Sequence, residues 1–348
     1  MNATFDSLTR NMTVARARHS ATLLPDGHVL VAGGFVATSP ATQSAELYDP
    51  SSSTWNATED MADARSRHTA TWLPSGKVLV VGGRSGSGLA LATAELFDPV
   101  FAAWTAAGDL SVPRDSHTAT LLADGRVLVT GGLSLGDGPD NPVEKSAEIY
   151  DPNTGTWSLI DHMSHARFGH TATLLADGTV IIAGGAGPRS DGVYTVTVEI
   201  YNPASGVWNN VNPMATPRGS HNAVLLLDGT VLVAGGLTLP VNTRHVTAES
   251  ELFVPGMGRW IRTGHLNVPR GAAGFEACRL ANGTVLVAGG RTATAELYDP
   301  QIGQWALTGS MAVSRSRPAL TQLADGTVLV TGGENFSGAV ASAEIYVP

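Results

Sequence analysis

The sequence predicts an all-β chain whose strands form seven small sheets closed into a ring, and three observations predict it. A double glycine returns seven times, at Gly33-Gly34, Gly82-Gly83, Gly131-Gly132, Gly184-Gly185, Gly235-Gly236, Gly289-Gly290 and Gly332-Gly333, at spacings of 49, 49, 53, 51, 54 and 43 residues. A period of about 50 residues marks an architecture in which one unit cannot bury its own faces. Four strand-like runs recur in each period, and no stretch carries a helical period of useful length. Finally, the seventh period stops one strand short at "SAEIYVP", while an unpaired strand-like segment stands at the N-terminus.

Each element has its own turn chemistry. The first run, "HTATLL" at His117, ends in a two-residue turn: Asp26-Gly27, Asp124-Gly125, Asp177-Gly178, Asp228-Gly229 and Asp325-Gly326, with Ser75-Gly76 and Asn282-Gly283 in the other two units. Such pairs supply the positive φ a tight hairpin needs. The second run, such as "RVLVTGG" at Arg126, is almost uninterruptedly apolar, as expected of a strand covered on both faces. The third, "SAEIYDP" at Ser146, leads into an Asp-Pro turn. The fourth opens with Trp55, Trp104, Trp157, Trp208, Trp260 or Trp305, and a Met or Leu follows six residues later.

Open sheet edges are a liability, so the ends are expected to meet. The stretch "ATFDSLTRNM" (residues 3–12) reads like "STWNATEDM", with Phe5 standing for tryptophan. Met12 keeps the usual four-residue distance to Arg16 but lies seven from Phe5, an insertion that a bulge would absorb. The expected organisation is therefore a single seven-bladed β-propeller. Residues 1–12 give the outer strand of blade seven, and blades one to seven span 13–61, 62–110, 111–163, 164–214, 215–266, 267–311 and 312–348.

Double glycine after an apolar strand, then Tyr or Phe, then Trp, at this period, resembles the kelch repeat over essentially the whole chain. The phrase "HSATLLPDGHVLVAGG" at His19 is also similar to the propellers of galactose oxidase and glyoxal oxidase. Those copper-radical enzymes imply a Cys–Tyr cross-link, a Tyr-His pair and a histidine from a C-terminal domain. Here no Tyr-His dipeptide occurs, the single Cys278 falls on an expected inner strand, and the strand pattern runs to the end. No metal or other cofactor is expected. G-x-S-x-G, H-E-x-x-H and phosphate-cradling loops are also missing.

Composition narrows the function further. Of 348 residues, 43% are hydrophobic and only 15% charged, which suits a packed domain rather than a solvated chain. A net charge of -9 argues against a nucleic-acid partner. Lysine occurs only at 77 and 145, so nearly all positive charge is arginine, the residue suited to planar, bidentate contacts. One cysteine forms no internal disulfide, and "MNATFDSLTR" has no apolar core of a leader peptide. No run is long enough to span a bilayer. The expectation is a soluble monomer of undetermined compartment. Sequons at Asn2, Asn11, Asn56, Asn282 and Asn335 are common by chance in so Ser/Thr-rich a chain.

Repetition itself sorts structure from function, because seven identical active sites are improbable. Complete columns are read as structural: Arg16, Arg65, Arg114, Arg167, Arg218, Arg270, Arg315, with Glu46, Glu95, Glu148, Glu199, Glu251, Glu296, Glu344. The histidine column (His19, His68, His117, His170, His221, then Ala273 and Pro318) is read as ring nitrogens bonded to neighbouring main chain rather than as a metal site.

Function is sought where symmetry breaks. From the second glycine to the glutamate the gaps are 12, 12, 16, 14, 15, 6 and 11 residues, so blades three to five raise a wall and blade six leaves a notch. Around that notch fall unrepeated charges and one aromatic: Arg18, Arg67 and Arg317 two residues after the invariant arginine, and Arg84, Arg291, Glu334 and the uncharged Phe35 directly after the double glycine. In protein-binding kelch domains, the resemblance implies, the position of Arg18, Arg67 and Arg317 contacts acidic peptides. These residues are the candidate ligand site of a non-catalytic binding module taking an acidic peptide, glycan or other anion. The alternative is a lyase- or isomerase-type enzyme on a carbohydrate or metabolite, with Glu334 or His245 as general acid or base.

Overall fold

In a computed structural model describing residues 3–8, 10–135, 141–188, 194–238, 245–271 and 274–348, seven four-stranded antiparallel sheets appear. Blade one consists of Ser20–Leu23, Val29–Ala32, Ala45–Asp49 and Thr54–Ala57, paired in that order from the axis outward. The chain is a closed seven-bladed β-propeller.

No blade has a core of its own. Along the second strand of blade one, Val29 and Val31 pack with Leu329 and Tyr48 toward blade seven, while Leu30 and Ala32 pack with Val78 and Val80 of blade two. Successive side chains point to opposite faces of a strand, and here both faces are junctions. That is why the second strands read as continuous apolar runs. On the outer rim each tryptophan stacks on the aromatic of its own third strand, with ring centroids 4.8–5.2 Å apart. Its indole N–H reaches back to the preceding blade; Trp104, for instance, donates to the Glu59 carbonyl at 2.9 Å.

The double glycine is required by the junction. Gly34 N–H donates to the Arg65 carbonyl of the next blade at 2.8 Å. Gly33, at φ +63°, would place a Cβ 2.5 Å from that same oxygen. A side chain there would drive two blades apart.

The arginine and glutamate columns form one buried hub per blade. Ion-pair distances run from 2.5 to 3.1 Å, and every one of these arginines is fully buried. In blade four, Arg167 donates to the Gly184 and Thr197 carbonyls, the Thr197 hydroxyl and Glu199. Glu199 in turn accepts the backbone N–H groups of Ser164 and His165 in the incoming linker. The hub therefore fixes the angle at which the chain enters each blade.

Ring closure uses Thr4–Ser7, which pairs with Ala343–Val347 in the order Thr4–Ser7, Ala343–Val347, Val328–Thr331, Ala319–Gln322. Phe5 lies opposite Tyr346, as Trp55 lies opposite Tyr48. Leu8 N–H bonds the Ala343 carbonyl and Met12 N–H the Ala341 carbonyl, matching Thr58 to Ala45 and Met61 to Gln43. The register is thus kept on both sides of the extra residue. The extra residue lies between Leu8 and Met12, a stretch in which Thr9 is outside the described residues. Deleting residues 1–12 is expected to lower the melting temperature and broaden the transition, because Tyr346 loses its cover and blade seven its fourth strand. A transition of unchanged midpoint and sharpness would refute ring closure as a source of cooperativity.

Blade six departs from the pattern in a way counting did not anticipate. From Arg270 to Leu280 there are two more residues than from Arg16 to Leu24. The histidine position is consequently filled by Phe275, whose ring would meet a Cβ on Gly235 just as His68 would meet one on Gly33. Ala273, which the count assigned there, lies outside the described residues.

Candidate ligand site at the mouth of the ring

The linker residues and the residues after the double glycine share one end of the ring. Ala17 bridges to Phe35, Ser66 to Arg84, Asp115 to Leu133 and Ser316 to Glu334. One step further along the linker the backbone turns left-handed in every blade where the position is described. The φ values are +58° at Arg18, +54° at Arg67, +56° at Ser116, +58° at Gly169, +52° at Ser220 and +50° at Arg317. In that conformation a backbone N–H reaches the carbonyl of the counterpart one blade back: Arg67 to Arg18 at 3.1 Å, Ser116 to Arg67 at 3.3 Å, Gly169 to Ser116 at 3.2 Å and Ser220 to Gly169 at 2.7 Å. Arg317 bonds Gly274 at 2.9 Å, Gly274 taking this place in blade six. The result is a girdle of main-chain bonds from blade to blade. Serine and glycine fill it as well as arginine does, so the girdle itself does not demand guanidinium groups. Left-handed φ at a long side chain costs roughly 1 kcal/mol or more.

Arg317, Arg18 and Arg67 follow one another on blades seven, one and two, and each keeps part of its side chain in solvent. The Arg18 guanidinium lies 5.8 Å from the centre of the Phe35 ring, within cation–π range. Glu334 sits between two arginines: its Oε1 is bonded to Arg317 Nη1 and stands 3.9 Å from Arg18 Nη2. On its other side Glu334 borders a pocket of about 340 Å³, lined also by Arg291, Ser314, Ser316, Asn335 and Phe336. The pocket occupies the top of the junction between blades six and seven, where the short blade-six loop was expected to leave a notch.

Arg84 is placed differently from these. It is buried, and donates from Nε and Nη2 to Asp115 Oδ2 at 3.2 and 3.0 Å. Arg67 Nη1 lies 3.8 Å from the same fully buried carboxylate. Arg84 thus anchors blade two to blade three and holds Asp115 beside Arg67, while Arg18, Arg67 and Arg317 are part-exposed and Arg291 is exposed. Asp115 was missed. A signal existed: in its column stand Ala17, Ser66, Phe168, Gly219, Gly271 and Ser316, and it is the lone acid.

The histidines are neutral struts. Each Nε2 pairs with a hydroxyl on the preceding blade: His19 with Thr331, His68 with Ser20, His117 with Thr69, His170 with Thr118, His221 with Thr171, at 2.8–3.0 Å. The partners are side chains, not the main chain the sequence suggested. Burial, aided by the neighbouring buried arginines, pushes His19, His68, His117 and His221 down to about 3, and His170 well below its usual value. Among the described residues no group of three or more His, Cys, Asp or Glu is placed to hold a metal ion. Burial raises the Cys278 thiol to about 11, so it is a protonated packing residue near neutral pH. His245, on a short hairpin of blade five, and Glu334, on blade seven, stand on different blades.

The fold and its mouth define a class: propellers whose blades share buried arginine–glutamate hubs and whose variable loops gather at one end. The family model of the KLHDC2/KLHL20/DRC7 Kelch-repeats domain matches residues 18–236, well over half of the chain, and the protein belongs to the kelch-repeat family. Among its relatives, Kelch-like protein 36 of Bos taurus is 28% identical over 162 residues, covering 45% of this chain and 25% of that protein. Kelch-like protein 35 of Mus musculus is 31% identical over 147 residues, covering 42% and 23%. The matches thus cover about a quarter of the length of these curated relatives. A fungal alcohol oxidase of the AA5 family, solved in complex with copper, shares the fold at a TM-score of 0.76 and 16% identity, over 97% of this chain and 75% of that one. Among the described residues no helix is long and apolar enough to cross a membrane.

Proposed function

We propose that this protein is a kelch-repeat interaction module that captures an acidic peptide segment of a partner protein at the mouth of the ring. The observation that carries this reading is the run of Arg317, Arg18 and Arg67 on three consecutive blades, at a girdle position that other blades fill with serine or glycine. Arginine retained in a left-handed conformation, where it adds nothing to the girdle, calls for a ligand. The adjoining pocket adds Arg291 and the exposed Phe336, so an acidic segment would find side-chain contacts beyond charge alone. Membership of the kelch family supports a protein as the source of that anion, and an acidic glycan would answer to the same chemistry.

The test is a titration of a fluorescein-labelled hexaglutamate peptide by anisotropy at low salt. Changing Arg67 and Arg317 together to serine, the residue of blades three and five at the same φ, is expected to weaken binding at least about tenfold. The melting temperature should stay within a degree or two of the wild type, since both arginines are part-exposed and the buried Asp115 keeps its closer bonds to Arg84. A parallel fall in stability, or undiminished binding, would show these arginines to be structural.

A further inference from the structure

Glu334 is the residue that the proposed anion site leaves unexplained. A carboxylate in the middle of an arginine arc lowers the positive charge offered to any acidic ligand. Its main chain cannot swing aside: Glu334 N–H bonds the Ser316 carbonyl at 2.8 Å and Ser316 N–H returns to the Glu334 carbonyl at 2.7 Å. The hairpin that follows, Glu334–Asn335 paired with Gly338–Ala339, pins it from the other side. Only the side-chain torsions are free to move.

Resting on the anion site proposed above, we infer that Glu334 is an internal carboxylate that occupies Arg317 and Arg18 in the resting protein and must be displaced by the incoming ligand. It forms the shared wall between the lateral pocket and the axial arginines, touching Arg317 on one side and bordering the pocket with Arg291 on the other. An acidic segment anchored first at Arg291 reaches Arg317 and Arg18 by turning the Glu334 side chain out. A tethered carboxylate competes at a high effective concentration, so a ligand with one acidic group is rejected. A ligand presenting several in a row is accepted, because each further ion pair adds to the first. Glu334 is thereby a specificity-determining residue, selecting oligo-anionic segments over single carboxylates.

The hexaglutamate titration distinguishes this from a general field effect when Glu334→Gln and Glu334→Asp are compared with the wild type. Glutamine removes charge and competitor together and is expected to tighten binding roughly threefold to fivefold, the worth of a part-exposed ion pair. Aspartate keeps the charge, but its carboxylate is one methylene shorter on a fixed main chain. Its affinity is expected to fall between the other two. Tightening by Gln with Asp equal to the wild type would mean that only the local field matters, and would overturn displacement. So would a Gln variant that binds no more tightly than the wild type. If wild type and both variants fail to bind the peptide while melting normally, the anion site itself falls, an outcome separate from either of these.

Discussion

Replacing Arg167 by alanine is expected to destabilise the propeller by about 3–5 kcal/mol, the effect of leaving one partner of a buried ion pair alone. Glu199 would remain fully buried, the Gly184 carbonyl would lose its donor and the Thr197 carbonyl would keep only the Gly184 N–H. Buried pairs elsewhere can be exchanged for apolar residues at little loss or even a gain. That remedy should fail here, because Arg167 and Glu199 are less a pair than a junction of main-chain bonds. A double change to methionine and leucine would take the acceptor from the Ser164 and His165 N–H groups as well as the Arg167 donor from the Gly184 carbonyl. Each buried group left unsatisfied costs about 1–3 kcal/mol. The double variant should therefore be no more stable than the single one, measured by urea unfolding. A double variant as stable as the wild type would reduce the hub to an ordinary salt bridge.

What the sequence made readable was whatever each repeat must restate. Gly33 and its counterparts recur because six junctions bring an arginine carbonyl against the same Cβ position, and at Gly289 the ring of Pro318 takes that place. Arg16 and Glu46 recur for the same reason: each linker meets the third strand of its own blade. Contacts made once are harder to read. Arg84 and Asp115 meet across a junction although they lie 31 positions apart, and no periodicity in either column announces the pairing. Phe275 was hidden by an assumption of equal spacing, since two extra residues in the blade-six linker move the histidine position without disturbing the strand that follows. Four hydroxyl partners of the histidines, Ser20, Thr69, Thr118 and Thr171, were in view as the residue after each His, and Thr331, the partner of His19, was not. Periodicity says which residues are equivalent, however, not which of two neighbouring blades each one faces.

Acid should unfold this protein at a pH where most domains are still intact. Five histidines sit neutral between blades, His19 half-buried and the others buried; four are held down to about 3 and His170 also far below normal. In the unfolded chain each titrates near 6.5. Between that value and about 3, unfolding takes up protons that the folded ring refuses, so stability is lost as pH falls through this window. The loss is about 1.4 kcal/mol for each histidine and each pH unit. Glu276 works the other way. Its residue is exposed on the inner strand Phe275–Arg279 although protein atoms crowd around it, and desolvation raises its carboxyl to about 7, so its protonation eases the fold as pH drops. One group cannot offset five. Against a total stability on the order of 5–15 kcal/mol, the histidines alone should unfold the propeller before about pH 4. The measurement is the free energy of urea unfolding at pH 7, 6 and 5, a range above that in which ordinary carboxylates titrate. A steep decline is expected, and it should become shallower by about one proton when His170 is replaced by glutamine. An unfolding free energy that stays level from pH 7 to 5 would mean that the struts charge freely in the folded ring, and the neutral histidine belt would have to be given up.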